Sequence, residues 1–119
     1  MKEILVFTTN VLGQHTNAAA KLAYKKHGAR WGMAYGHYGN SFAIPVKDGN
    51  GNRIKEDAIY GFVEGFISYA STNPQWDFKV MGDDFLDPYL FNNVTGNVLL
   101  PEAWRKYLGD AYNYWGTIS

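Results

Sequence analysis

The sequence contains no cysteine among its 119 residues. This absence excludes disulfide bonds, thiolate metal sites and a cysteine nucleophile, and it is typical of proteins of the reducing cytosol. Long apolar runs are also missing, and the start of the chain has only the four-residue run Ile4-Leu5-Val6-Phe7. A secretory signal or a membrane span needs a longer apolar stretch. We therefore expect a cytoplasmic protein with no membrane partner.

An excess of charge of either sign is absent too, since eleven Lys and Arg residues balance eleven Asp and Glu residues. Proteins that bind the nucleic-acid backbone usually carry a basic excess or a basic stripe, because neutralising phosphates supplies much of their affinity. The basic cluster here is the short run Lys25-Lys26-His27. Polymeric nucleic acid is therefore not expected as a partner. A small ligand with one or two phosphates stays open, because backbone N–H groups can bind it without net charge.

What the sequence does have is a globular composition, 46% hydrophobic and 18% charged, at a length typical of one domain. We expect residues 1–119 to form a single domain. Apolar runs predict three strands, near residues 3–9, 41–46 and 76–81. Helical signals predict three helices, near residues 17–27, 55–71 and 101–108. The alternation predicts an α/β fold, a mixed sheet with helices packed on it.

The loop after the first predicted strand is the first candidate ligand site, because ligands of α/β sheets bind where strands lead into helix N-termini. It contains Asn10, Gly13 and His15, and the alanines that follow would leave the helix N-terminus accessible. Free N–H groups and the positive end of the helix dipole would suit a phosphate. The alternative is an ordinary strand–helix turn capped by Thr16 or Asn17, since no dinucleotide fingerprint or P-loop is present.

The segment from Trp31 to Ser41 is the second candidate, because glycines alternate there with aromatic residues such as Tyr35 and Tyr38. Aromatic faces could stack on a base while the glycines let backbone amides approach a ribose or a phosphate. The alternative is an irregular hairpin whose aromatic side chains fill the core.

The titratable residues offer no metal signature and no convincing catalytic pair. His15, His27 and His37 lack the spacing of metal ligands, and only His15 is considered for ligand contact or proton transfer. Asp83 and Asp84 follow the third predicted strand, where a carboxylate can bind ribose hydroxyls or activate water. The alternative is that these aspartates form a turn. We predict no catalytic residue, no metal and no cofactor.

Motifs of the first half resemble a family of small phage and bacterial proteins. They are Phe7-Thr8-Thr9-Asn10-Val11-Leu12-Gly13-Gln14-His15-Thr16-Asn17-Ala18-Ala19-Ala20, then Gly28-Ala29, and then Gly39-Asn40-Ser41-Phe42-Ala43-Ile44-Pro45-Val46-Lys47-Asp48. The family typically reads F-x-S-N-x-x-G-x-H-G-A-G-A-A and then G-x-x-G-x-G-x-x-G-x-S-Y-A-I-P-T-K. It is associated with macro-domain-like folds, which bind ADP-ribose and related nucleotides. The resemblance implies a macro-domain-like domain in the host cytoplasm.

Two departures from the family pattern bear on function. Thr16-Asn17-Ala18 replaces a Gly-Ala-Gly, and an insertion-like run follows the third predicted strand as far as Leu100. A reshaped pocket favours a phage protein that binds and sequesters an ADP-ribose-like or cyclic nucleotide, such as a host defence signal. One alternative is an ADP-ribosyl or nucleotide hydrolase with His15, Asp83 or Asp84 as base. Another is a phage module for protein–protein interaction.

The loop after the first predicted strand, the segment from Trp31 to Ser41, one lysine and one aspartate supply the residues expected to contact the ligand. These residues are Asn10, Gly13, His15, Thr16, Asn17, Trp31, Tyr35, Tyr38, Asn40, Ser41, Lys47 and Asp83. Aromatic residues also crowd the C-terminus: Tyr107, Tyr112, Tyr114 and Trp115. We expect them to pack on the core or on a second subunit, and the surplus favours a homodimer or a larger homo-oligomer.

Overall fold

A computed structural model gives the fold and describes residues 2–13, 25–26, 28, 32 and 34–116. Its strands are β1 (Lys2–Asn10), β2 (Gly36–Tyr38), β3 (Ser41–Lys47), β4 (Trp76–Val80), β5 (Val98–Pro101) and β6 (Asn113–Trp115). They form one sheet in the order β2-β3-β1-β4-β5-β6. β2 is antiparallel to β3, and all the other neighbouring strands are parallel. The prediction of a mixed α/β sheet is confirmed.

The described helices are α1 (Glu56–Ser71) and α2 (Arg105–Leu108). Two 3-10 helices accompany them, Pro88–Phe91 and Glu102–Trp104. The prediction of a helix over 55–71 is confirmed. Residues 101–108 are helical only from Glu102 onward, because Pro101 belongs to β5. The predicted helix over 17–27 lies outside the described residues except for Lys25 and Lys26, which are helical.

Helix α1 connects β3 with β4 and packs on one face of the sheet. Its buried residues recur at intervals of three and four: Ile59, Val63, Phe66, Ile67 and Ala70. The ring of Phe66 lies 5.2 Å from that of Phe42 and 5.6 Å from that of Phe78, between centroids. Because burying one such ring contributes roughly 1.5–3 kcal/mol, this layer is the main core.

Strand β1 is buried on both faces, as its continuous apolar run predicts. All of Ile4–Asn10 is buried. Ile4 and Val6 belong to the core under α1, and Leu5 and Phe7 point to the opposite face because strand side chains alternate. The strand therefore lies at the centre of the domain, and its C-terminal end is fixed on both sides.

The segment from Tyr35 to Ser41 forms a hairpin of β2 and β3. Gly39 takes a φ of 56° in its turn, and the Ser41 hydroxyl donates to the Tyr38 carbonyl at 2.8 Å. The Tyr35 ring packs against Phe42, and its hydroxyl donates to the Phe62 carbonyl at 2.9 Å. The segment thus contains the hairpin of the alternative interpretation, and Tyr35 packs half-buried against the core. Its expected contact with a ligand stays a prediction.

The C-terminal aromatic residues pack on the chain itself. The Tyr112 hydroxyl donates to the Asn92 carbonyl, and the Tyr114 hydroxyl donates to the Gly109 carbonyl at 2.6 Å. The Trp115 indole donates to the Val80 carbonyl at 2.9 Å. Tyr107 alone among the four is classed as exposed, with 48% of its surface accessible.

Candidate functional site

Parallel strands place five strand ends at one edge of the sheet, which we call the C-terminal edge. The ends are Asn10 of β1, Lys47 of β3, Val80 of β4, Pro101 of β5 and Trp115 of β6. From β1 the chain passes to β3 on one side, and from β3 it crosses to β4 on the other side of β1. The strand order therefore reverses between β1 and β4. Ligands of open α/β sheets bind at the carboxyl edge beside such a reversal.

A tight turn follows β1 at this edge. The Asn10 side-chain oxygen accepts from the Leu12 N–H at 3.1 Å, and the Asn10 carbonyl accepts from the Gly13 N–H at 3.0 Å. The Val11 N–H donates to the Lys47 carbonyl at 2.8 Å. Gly13 has a φ of 72°, a conformation that favours glycine. The N–H groups of residues 11–13 therefore donate within the protein, and the predicted helix N-terminus, whose N–H groups are expected to be free, lies outside the described residues.

The two glycine-bearing segments meet beside this turn. The Gly32 N–H donates to the Gly13 carbonyl at 3.0 Å. A Cβ on Gly28 would stand 3.1 Å from the Gly39 Cα, so the backbone approaches closely there. The structure thus joins the first and second candidate segments. Four of the predicted ligand residues, His15, Thr16, Asn17 and Trp31, lie outside the described residues, and Tyr38 and Asn40 are exposed on the hairpin.

The side chain of Asp83 links the ends of β1 and β4, the two strands between which the strand order reverses. The buried Thr8 hydroxyl donates to its Oδ2 at 2.7 Å, and the Phe85 N–H donates to its Oδ1 at 2.8 Å. Both carboxylate oxygens therefore accept a hydrogen bond within the protein. Asp83 forms the turn that was its alternative interpretation, and it fixes the loop after β4 to the end of β1.

A cleft of about 330 Å³ opens between this loop and the end of β5. Its lining residues are Met81, Gly82, Asp83, Asp84, Pro101, Ala103 and Trp104. Asp84 is exposed, and no described residue forms a hydrogen bond or an ion pair with its carboxylate. A Cβ on Gly82 would stand 3.5 Å from the Trp104 Nε1. The cleft therefore presents a carboxylate on one side and an indole next to bare backbone on the other.

Two cations lie on the β3 side of the same edge. The Lys47 ammonium stands 5.4 Å from the centre of the Phe85 ring, and the Arg53 guanidinium donates to the Phe85 carbonyl at 3.3 Å. Glu56 lies 3.8 Å from Arg53. Because Phe85 directly follows Asp84, positive and negative side chains occupy adjacent parts of the C-terminal edge.

Lys47 and Asp83 were in the predicted site, whereas Asp84, Arg53 and Trp104 were not. Asp84 had a signal, since it stands next to Asp83 after a predicted strand. The sequence carries no such signal for Arg53 or Trp104. Arg53 reaches the edge through its contact with Phe85, and Trp104 reaches it because it follows β5.

His37 serves the fold. Its Nε2 lies 2.8 Å from the Gly39 carbonyl oxygen, and its Nδ1 lies 2.5 Å from the Tyr69 hydroxyl. A neutral ring that donates from Nε2 to this carbonyl accepts at Nδ1 from the hydroxyl. Burial raises the pKa of Tyr69 above its ordinary value. Across the described ranges, no group of three His, Cys, Asp or Glu side chains could hold a metal ion.

An ion-paired cluster supports the wall of the cleft. Arg105 contacts Glu102 at 2.7 Å and Asp110 at 2.8 Å, which ties the start of the 3-10 helix to the end of α2. The hydrogen bond from Arg105 lowers the pKa of Glu102. Both carboxylates are solvent-exposed, so we assign the cluster a local role in orienting residues 102–110.

Comparison of the chain with protein-family models, with curated proteins and with solved structures finds no match in any of the three. The α/β class follows from the sheet described above. The macro-domain-like resemblance stays a prediction.

Proposed function

We propose that this chain binds and sequesters a phosphate-bearing nucleotide, ADP-ribose-like or cyclic, at the C-terminal edge of its sheet. In this proposal it is a cytoplasmic phage protein that captures a host defence signal. The observation that carries the binding proposal is the division of charge at the strand-order reversal. Lys47 and Arg53 lie on one side, and the carboxylate of Asp84 lies on the other.

A nucleotide complements this division of charge. Its phosphates attract ammonium and guanidinium groups, and its ribose hydroxyls and base amines donate to carboxylates. A cleft of about 330 Å³ lies at the lower end of the range for small-molecule sites, roughly 300–1,000 Å³. Residues 10–13 contribute the hydrogen-bonded turn beside the edge, in which the N–H groups of residues 11–13 donate within the protein.

Binding without turnover is favoured over the hydrolase alternative. Hydrolysis needs a positioned base together with an acid or a metal. The oxygens of Asp83 already accept from Thr8 and Phe85. No described side chain forms a hydrogen bond or an ion pair with the carboxylate of Asp84, so neither aspartate has an acid partner among the described residues, and His15, the third candidate base, lies outside them.

Replacing Lys47 with Met should weaken ADP-ribose binding about tenfold, because a charge-assisted contact to phosphate contributes roughly 1.5 kcal/mol or more. Adenosine, which lacks phosphate, should bind both proteins equally. The matched control is Lys2→Met, because Lys2 also stands over an aromatic ring, that of Trp76, but at the opposite end of β1. Isothermal titration calorimetry measures all of these affinities.

The same samples separate capture from catalysis. Protein incubated with ADP-ribose is washed, denatured and analysed by mass spectrometry. Intact ligand in the supernatant supports sequestration, and a new mass supports the hydrolase. Equal losses of affinity in Lys47→Met and Lys2→Met, or no retained ligand from a panel of linear and cyclic nucleotides, would contradict the proposal.

Three of the C-terminal aromatic residues donate hydrogen bonds to carbonyls of their own chain, and their rings are half-buried. Tyr89 and Tyr107 form an exposed aromatic pair on the described surface, with ring centroids 6.2 Å apart, and we expect this pair to contribute to the proposed homodimer. We expect a dimer at micromolar concentration in sedimentation experiments, and a monomer there would contradict this.

No helix in the described ranges has both the length and the apolar character to span a membrane.

A further inference from the structure

The indole N–H of Trp104 is a buried donor without an acceptor in the described part of the chain. Only 6% of the Trp104 surface is exposed, and its ring lies 5.1 Å from that of Phe91. None of the hydrogen bonds of the described residues involves its Nε1. Buried polar groups in proteins are nearly always hydrogen-bonded. A buried donor that lines an open cleft therefore points to an acceptor that is not among the described residues.

Gly82 keeps this donor accessible. A Cβ there would stand 3.5 Å from the Trp104 Nε1 and 3.4 Å from the Pro101 Cγ. The φ of Gly82 is outside the left-handed region, so its backbone accepts any residue. The glycine therefore leaves room in the cleft beside the indole, and the backbone conformation does not require it.

Asp84 supplies the complementary acceptor of the same cleft. Its carboxylate is exposed and has no partner among the described residues, in contrast to Asp83, whose oxygens accept from Thr8 and Phe85. The cleft therefore offers one neutral donor and one anionic acceptor. A phosphate is disfavoured as the occupant, because the carboxylates of two lining aspartates repel it.

We infer that this cleft is a purine-base subsite of the ligand. A ring nitrogen or carbonyl of the base accepts from the Trp104 Nε1–H, and an amine or ring N–H of the base donates to Asp84. Both adenine and guanine carry an acceptor next to a donor on one edge. The inference rests on the proposed function, since it assigns the base half of the nucleotide and leaves the phosphates to Lys47 and Arg53.

The first test is Gly82→Ala. The added methyl group makes ordinary contacts with Pro101 and Trp104, so the protein should fold, but the methyl covers the indole N–H. We expect adenosine and guanosine to bind at least about tenfold more weakly, which corresponds to one lost buried hydrogen bond plus steric exclusion. Ribose 5-phosphate should bind unchanged. The control is Gly96→Ala, whose methyl would contact only Asn113, at 3.6 Å.

The second test observes the donor directly. In a proton–nitrogen correlation spectrum the indole signal of Trp104, assigned by its loss in Trp104→Phe, should move on titration with either nucleoside. Purine riboside, which keeps ring acceptors but lacks the exocyclic amine, should bind wild type about tenfold more weakly than adenosine does. That difference should vanish in Asp84→Ala, which removes the acceptor, and persist in Asp77→Ala, because Asp77 lies near the other end of β4.

The outcomes separate the two proposals. If ribose 5-phosphate binds through Lys47 and neither nucleoside moves the Trp104 signal, the base subsite is overturned and the proposed function stands. If the nucleosides move the signal and Lys47→Met leaves ADP-ribose binding unchanged, the subsite stands and the phosphate assignment fails. If no probe binds, both are overturned.

Discussion

Replacing Asn97 with Asp should lower the free energy of unfolding by about 3 kcal/mol. The Asn97 side-chain amide lies 3.0 Å from the Ala70 carbonyl and 3.1 Å from the carbonyls of both Asn73 and Trp76. These carbonyls belong to the end of α1, the following turn and the start of β4, and Asn97 itself directly precedes β5. One amide group therefore joins four parts of the fold. A carboxylate there could not donate, and the three carbonyl oxygens would repel it.

Chemical denaturation of the wild type and the variant measures this loss. Asn97→Ala should cost less, about 1.5–2 kcal/mol, because it removes the hydrogen bonds without adding a buried charge. The control is Asn50→Asp, which makes the same chemical change at an exposed turn and should stay within about 0.5 kcal/mol of wild type. Equal stability of Asn97→Asp and wild type would show that the amide does not hold these elements together.

The penalty should also depend on pH. The surrounding carbonyls disfavour the ionised form of the introduced carboxyl group, so its pKa in the folded state is raised above the unfolded value. The penalty is then fully present above the folded-state pKa and shrinks as the pH falls through it towards the unfolded value. Measured relative to wild type at each pH, the destabilisation should be smaller in acid than at neutral pH.

The central elements of the fold could be predicted because their sequence patterns report burial directly. β1 is a continuous apolar run buried on both faces, and α1 shows an unbroken apolar spacing. The sequence does not predict β5 and β6, because they are short and because β5 ends in Pro101, which also suits the first turn of a helix. Short strands depend on their neighbours in the sheet more than on their own residues.

The site was predictable only in part, because its contacts span long stretches of chain. Asn10, Gly13 and Lys47 stand at or near strand ends that the sequence locates. For Asp83 the sequence predicts either a ligand-binding carboxylate or a turn. The bond from Thr8 to Asp83 joins residues 75 positions apart, and no local pattern encodes it. The contact of Trp104 with the cleft depends on β5, which the sequence did not reveal.

The two glycines of α1 should respond to alanine with opposite signs. Gly61 and Gly65 are one turn apart, but a Cβ on Gly61 would meet no described atom within 4 Å, whereas a Cβ on Gly65 would overlap the Tyr35 hydroxyl. Gly61→Ala should raise the free energy of unfolding by about 0.5–1 kcal/mol, because alanine is the better helix former. Gly65→Ala should lower it by about 1–2 kcal/mol despite the same helix gain.

The Tyr35 ring cannot move away cheaply, because it lies 4.8 Å from the Phe62 ring and 5.5 Å from the Phe42 ring, and its hydroxyl bonds to the Phe62 carbonyl. Removing that hydroxyl should therefore rescue Gly65→Ala. We expect Tyr35→Phe to cost about 1 kcal/mol alone, and the double variant to be at least 1 kcal/mol more stable than the sum of the single losses. Thermal and chemical unfolding of the four proteins gives this coupling. The proteins with and without Tyr35→Phe differ only in the hydroxyl group. If the losses of the two single variants simply add in the double variant, the strain at Gly65 comes from another neighbour.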